Sequence, residues 1–236
     1  MITAPFNYMQ HLPTGEVPVQ LGVNVWVDPS DSDNYTLVSG KYSQIVNKGD
    51  MGGTIDQATS TMRPPQLTDH FGTGLHALQG DGSDDILDVT GSWDILADDL
   101  AFSFFLVIDY VTGGNDGVIG FNAGDLLIES AEYMRMWNGS GSVRLSAGSY
   151  TNGKKIIEVH RTAGSTFTVY ENGVDDTASG PPNDSRDFTT VNKMFSTSAW
   201  ESNKKHGSIL LFNYDLDGSG DAAAVRSYLN DKWSIY

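Results

Sequence analysis

Thr166-Phe-Thr-Val-Tyr-Glu-Asn-Gly-Val174 is the stretch whose pattern decides the fold class. Phe167, Val169 and Glu171 alternate with Thr168 and Tyr170, the period of two that sends successive side chains to opposite faces of a strand. Asn172-Gly173 follows where such a strand must turn back. Both residues tolerate the positive φ of a type I′ turn, so the segment predicts a β-hairpin.

The same signature recurs on either side. Val23, Val25 and Val27 alternate with Asn24 and Trp26 inside a predicted strand Leu21–Val27. Further strands are expected at Tyr35–Val46, Leu75–Gln79, Ala101–Val111, Gly117–Phe121, Asp125–Ile128, Tyr133–Trp137 and Ser142–Ser146. Lys155–Arg161, Thr166–Glu171, Lys193–Thr197 and Ser208–Tyr214 complete the set. About a dozen short strands at roughly 8–12-residue spacing predict an all-β, antiparallel two-sheet sandwich. One helix is expected at the C-terminus. Ser219 or Asp217 can cap it, Asp221 complements its N-terminal dipole, and Ala222, Val225, Leu229 and Trp233 fall on one face.

Composition narrows the function classes. The 236 residues carry 30 acidic and 14 basic side chains, a formal charge of −16, and no cysteine. This length suits one sandwich domain, read here as residues 21–236 behind an extended N-terminal arm, residues 1–20. Pro5, Pro13 and Pro18 keep that arm extended, and Phe6, Tyr8, Met9 and Leu12 suit either docking on a neighbouring subunit or a loose leader. The absence of Cys excludes a disulfide scaffold, a thiolate metal site and a cysteine nucleophile. Strong acidity argues against nucleic acid as a partner, because phosphate backbones need Lys and Arg to displace their counterions. The longest apolar run, Phe104–Ile108, is far short of a membrane span, and residues 1–20 lack a signal-peptide pattern. The sequons at Asn34, Asn138 and Asn183 are therefore read as accidental.

Several motifs stand in the order of a known family. Gly22-Val-Asn-Val-Trp26-Val-Asp28-Pro-Ser30-Asp31 is followed by Ser43-Gln44-Ile45-Val46-Asn47-Lys48-Gly49, then Ala58-Thr59 and Arg63-Pro64, then Leu78-Gln79-Gly80-Asp81-Gly82-Ser83-Asp84-Asp85-Ile86-Leu87. With the long strand Phe102–Asp109, the Asn-Gly hairpin and the final strand and helix, this order resembles the concanavalin A-like, laminin-G-like jelly-roll domains. Such domains are common in bacterial surface proteins and phage particles. Ile45 replaces that family's Trp, and the Asp after it is absent. The resemblance implies two antiparallel sheets packed face to face, and leaves function open because such folds host lectins, hydrolases and structural modules.

Candidate sites each have a plain alternative. Asp81, Asp84, Asp85, Asp88, Asp94, Asp98 and Asp99 stand together with no base among residues 81–99. Calcium wants such hard oxygens, but Asp also stabilises turns. Asp215-Leu-Asp217-Gly-Ser219-Gly220-Asp221 matches half of an EF-hand loop, with Arg226 where the bidentate Glu belongs. Glu129 and Glu132 stand in a predicted loop rather than as a glycosidase strand pair. His11, His70, His76, His160 and His206 are dispersed, without zinc spacing or a nucleophile elbow, and His160 reads as a packed strand residue. Tyr133, Trp137 and Asn138, or Tyr150 and Trp200 with Asn203, could stack and hydrogen-bond a sugar; the alternative is that these aromatics fill the core.

The expectation is thus a non-enzymatic protein with no catalytic residues, no metal and no cofactor. It is read as a structural component on a virion exterior (head decoration, fibre or tail), assembled in a host cytoplasm and homo-oligomeric. Its partners would be other virion proteins, through residues 1–20, with no nucleic acid and no membrane. The alternative is a glycan-binding adhesion module facing a host-surface glycan. Residues 1–100 hold 14 acids and 3 bases, so the negative charge concentrates in the early loops, as suits an outward-facing surface repelled by packaged DNA.

Overall fold

The computed structural model describes residues 17–94, 101–111, 113, 116–121, 124–128, 133–137, 142–148, 150–163, 166–179, 190–195 and 202–236. A single helical turn, α1 (Val17–Gln20), precedes β1 (Val25–Val27). Next come β2 (Tyr35–Val38), β3 (Lys41–Val46), β4 (Thr54–Asp56), β5 (Gln66–Thr68), β6 (His76–Gln79) and β7 (Leu87–Asp94). The middle of the chain supplies β8 (Phe102–Tyr110), β9 (Asp116–Phe121), β10 (Asp125–Ile128), β11 (Met134–Trp137) and β12 (Ser142–Arg144). Last are β13 (Gly153–Arg161), β14 (Phe167–Glu171), β15 (Val174–Asp175), β16 (Thr190–Met194), β17 (Lys205–Phe212) and α2 (Gly220–Trp233).

The strands form two antiparallel sheets. One, of eight strands, runs β15-β14-β13-β8-β17-β6-β5, with β1 also paired to β17. The other, of nine, runs β12-β11-β10-β9-β16-β7-β4-β3-β2. They make the sandwich expected from the sequence, with α2 as a third layer outside the eight-stranded sheet.

Alternation shows why that third layer forms. On β8, Phe102, Phe104, Leu106, Ile108 and Tyr110 enter the core between the sheets, while Phe105 and Val107 enter a second core beneath α2. Ile209 and Leu211 against Leu210 and Phe212 repeat the division on β17, as do Val25 and Val27 against Trp26 on β1. A strand covered on both faces reads as a continuous apolar run, which is what Phe104–Ile108 is. Ala222, Val225, Leu229 and Trp233 of α2 fill the outer core, and burial of each large side chain contributes about 1.5–3 kcal/mol. Ser219, not Asp217, is the helix cap, accepting from Ala222 N.

The family-like motifs have structural duties. Asn47 Oδ1 accepts from Trp26 N at 2.7 Å and Gly49 N at 2.9 Å, tying the first two motifs together. Asp28 is wholly buried, accepts from Ser30 N at 3.1 Å and Ser30 Oγ at 2.6 Å, and pairs with Lys232 of α2.

Three differences from expectation have local causes. Tyr35–Val46 is a hairpin rather than one strand, turned by Ser39 at φ 55 and Gly40 at φ 76. Val17–Gln20, read as the end of an extended arm, is helical instead. Proline is tolerated in a first turn, and there Pro18 is buried while Val17 packs on the outer core. β7 lies in the segment read as an Asp-rich loop, although Leu87 and Trp93 alternate inward around Asp88 and Thr90. The hairpin at Asn172 (φ 53) and Gly173 (φ 78) forms where expected. Residues 1–16 of the arm lie outside the described residues.

Candidate functional site

Registered pairing places one row of residues across the outer face of the nine-stranded sheet. Thr36 faces Gln44, Gln44 faces Asp56, Asp56 faces Asp88, and Asp88 faces Lys193. The row continues through Gly120 and Asp125 to Trp137. Its inward neighbours Leu87, Met194, Ile119, Leu126 and Met136 are core residues, so the row lies on the opposite face, exposed at Thr36 and Asp88 but buried at Gly120 and Asp125.

At the β2–β4 end the row opens into a depression of about 320 Å³ lined by Thr36, Ser43, Gln44, Asp56, Gln57, Ala58 and Arg63. A bulge shapes it. The β2–β3 register slips between Thr36 and Leu37, so Tyr42 and Ile45 are both buried while Ser43 and Gln44 between them both turn outward. Bulges re-aim side chains in this way. Gln44 Nε2 donates to Asp56 Oδ1 at 2.7 Å and Thr54 Oγ1 to Asp56 Oδ2 at 2.5 Å. Burial pushes the Asp56 pKa up, but hydrogen bonds from Thr54, Thr90 and Gln44 outweigh it and hold the carboxyl below its ordinary value. Arg63 donates from Nε to Gln57 O and from Nη2 to Ala58 O, both at 2.7 Å. A guanidinium has five N–H donors, so these two bonds do not exhaust those of Arg63, which also lines the depression. Carboxylate, amide, hydroxyls and guanidinium thus line one depression. The sequence signal for this site was the broken alternation Tyr42-Ser43-Gln44-Ile45, which the strand pattern alone did not single out.

The aromatic candidates separate. Trp137 reaches the outer face, half-buried opposite Asp125, with Gly120 as the next residue in the row. Tyr133 is covered by Arg144, whose guanidinium carbon stands 3.3 Å from the ring centroid. Tyr150 is a correction: it is wholly buried, edge-on to Tyr110, and presents no face to a sugar. Asn203 uses its backbone N–H on Asp116 Oδ1. Asn138, Trp200, Glu129, Glu132, Asp98, Asp99 and His11 lie outside the described residues.

The EF-hand-like segment is occupied by the fold. Asp217 accepts from Thr168 Oγ1 on Oδ2 and from Tyr170 O–H on Oδ1, both at 2.7 Å, which anchors the approach to α2 on β14. Burial raises the Asp217 pKa, and those two bonds more than reverse it. Asp81, Asp84 and Asp85 do come together, each offering a carboxylate oxygen within 4.8 Å of the others.

Tertiary structure also assembles a group invisible in the sequence. Ser202 Oγ lies 2.7 Å from His206 Nε2 and donates to Asp116 Oδ1 at 2.9 Å. It resembles a hydrolase triad in composition, but its protons run the wrong way. With the Ser202 proton on Asp116, His206 must donate from Nε2 to Ser202 Oγ, which leaves its partnerless Nδ1 unprotonated. A base that already carries a proton on the nitrogen facing serine cannot activate it. Ser202 and His206 are fully buried, and burial first, then Lys204, lowers the His206 pKa to about 3. Lys204 Nζ pairs with Asp116 at 3.0 Å, completing a buried structural knot. Two further histidines are engaged singly: His70 Nε2 with Asp109 Oδ2 at 2.6 Å, and buried His160 Nδ1 with Ser103 Oγ at 2.8 Å.

No protein-family model and no curated sequence matches the chain. Solved structures match its fold at low identity. The binding domain of Paraclostridial Mosquitocidal Protein 1 aligns with TM-score 0.63 and 11% identity, over 90% of this chain and 53% of that one. The binding domain of botulinum neurotoxin DC, in complex with SialylT, aligns with TM-score 0.58 and 12% identity, over 88% and 52%. A Trypanosoma rangeli sialidase in complex with sialic acid aligns with TM-score 0.52 and 11% identity, over 89% and 33%. The chain therefore spans about half the length of these toxin domains and a third of the sialidase. At these identities the likeness establishes the β-sandwich fold, and nothing in it supports a virion part.

Proposed function

We propose that this chain is a non-enzymatic, lectin-like binding module that holds a glycan on the outer face of its nine-stranded sheet. The bulge in β3 is the observation that carries the reading. It turns Ser43 and Gln44 outward together, beside the Asp56 carboxylate and the Arg63 guanidinium, and so gathers hydrogen-bond acceptors and donors in one depression. Trp137 at the far end of the row offers an apolar face for a ring. The SialylT and sialic acid ligands of two fold neighbours lend the same reading support. Against paired-carboxylate glycoside hydrolysis stands the lining itself, in which Asp56 is the single carboxylate among the described residues.

A broad glycan array, with sialylated and neutral panels, tests the proposal on the intact chain. Binding is expected, with Arg63→Ala and Gln44→Ala each weakening it about tenfold, the loss of one charged or bidentate contact. Silence across the array, or binding indifferent to both substitutions, overturns it. Placement on a virus particle, with residues 1–20 as the docking arm, is a proposal resting on the sequence resemblance, and mass spectrometry of purified particles tests it.

A further inference from the structure

We infer that Asp81, Asp84 and Asp85, on the loop between β6 and β7, form a calcium site. Two oxygens bound to one calcium ion at 2.3–2.6 Å can lie at most roughly 5 Å apart. The three carboxylates, each with an oxygen within 4.8 Å of the others, therefore stand close enough to share one ion.

The buried member of the cluster points to a ligand independently of its charge. Asp85 is 3% exposed, and its Oδ1 is buried and accepts from no donor. Native folds rarely leave a buried carboxylate oxygen without a partner, and a cation is the partner this geometry lacks. Asp81 and Asp84 are exposed, which leaves an open side for ion entry and for the waters that complete a coordination of six to eight oxygens. Asp81 Oδ1 already accepts from Ser83 N at 2.8 Å and Asp84 N at 3.2 Å, so its other oxygen is the one to offer.

The scaffold is rigid enough to keep the arrangement. Gly80 lies so close to the 202–204 segment that a Cβ there would stand 1.8 Å from Ser202 O, and Gly82, at φ +72, donates its N–H to that same oxygen. An all-oxygen set with no histidine and flexible ligand geometry favours calcium over zinc, and over magnesium, which demands a near-ideal octahedron.

Calcium chloride titrated into the metal-stripped chain, followed by calorimetry and thermal melting with no glycan present, tests the site independently of the lectin reading. One site is expected, with Tm rising by roughly 5–10 °C at a hundredfold excess over Kd. Asp84→Asn, at an exposed position, and Asp85→Asn should each weaken binding at least about tenfold, while Asp88→Asn, just outside the cluster, should not change it. Neither heat nor a Tm shift by ~10 mM calcium, beyond the weakest extracellular modules, overturns the inference. Equal affinity in wild type and Asp84→Asn overturns it as well.

Discussion

Arg226 of α2 holds Glu158 of β13 in a two-pronged grip, Nε to Oε1 at 2.5 Å and Nη2 to Oε2 at 2.9 Å. Glu158 is wholly buried in the layer between sheet and helix, with His160 Nε2 3.6 Å from Oε2. The guanidinium is the charge that makes this carboxylate tolerable, and the hydrogen bonds to Glu158 raise the Arg226 pKa in turn. Helix and sheet are therefore joined by apolar packing and by one pair that cannot be half removed.

Arg226→Ala should destabilise the fold by roughly 3–5 kcal/mol, because it strands a buried charge. The double substitution Arg226→Met with Glu158→Leu should recover most of that loss. Urea unfolding of the three proteins measures both; equal stability of wild type and Arg226→Ala would show that the pair contributes nothing.

Acid should undermine the Ser202–His206–Asp116 knot from the histidine side. His206 titrates near its ordinary 6.5 when unfolded and at about 3 when folded. The unfolded chain thus binds an extra proton between these values, and stability falls as pH drops through that window. One proton is worth about 1.36 kcal/mol per pH unit. His206→Gln should flatten the acid limb by about that slope, as read from urea midpoints across the window.

Asp85 should act in the opposite direction. Its folded pKa lies above the ordinary 3.8, at about 6, so the folded chain holds the extra proton and metal-free stability falls as pH rises through that interval. Asp85→Asn should then have a higher Tm than wild type at neutral pH in chelator and the same Tm below about pH 4. A wild-type Tm that stays above the variant's in chelator at neutral pH would refute this.

Gly80→Ala should be far worse than an ordinary glycine-to-alanine exchange, which is worth about 1 kcal/mol. The added methyl meets the Ser202 carbonyl at 1.8 Å, so backbone must move at the knot itself. A sharp Tm loss, with the 81–85 loop displaced, is the expected result; a neutral substitution would mean that the 202–204 segment yields freely.

The legible parts of this protein were those written in local pattern. Strands that alternate cleanly, such as Val25–Val27 and Phe167–Glu171, and the hairpin at Asn172-Gly173 followed from side-chain period and backbone stereochemistry. α2 followed from a cap, a dipole complement and one apolar face. The Asp-rich segment hid β7, because its carboxylates masked the inward alternation of Leu87 and Trp93. Tyr150 stayed open between two readings for a related reason: an aromatic near a turn can face sugar or core, and its position against Tyr110 decides for the core.

The sequence alone was enough for a two-sheet antiparallel sandwich with a terminal helix, for the turn at Asn172-Gly173, and for an acidic surface unsuited to phosphate backbones. Tertiary structure alone decided which polar residues meet. Gln44 reaches Asp56 across a strand pair, Asp116 reaches Ser202 across 86 positions of chain, and Asp217 is consumed by Thr168 and Tyr170 rather than by a metal. The physical reason is range. Propensity and alternation act within a few residues, whereas burial and hydrogen-bond partnership depend on sheet register, and a one-residue slip such as the bulge at Ser43 sends a side chain to the opposite face.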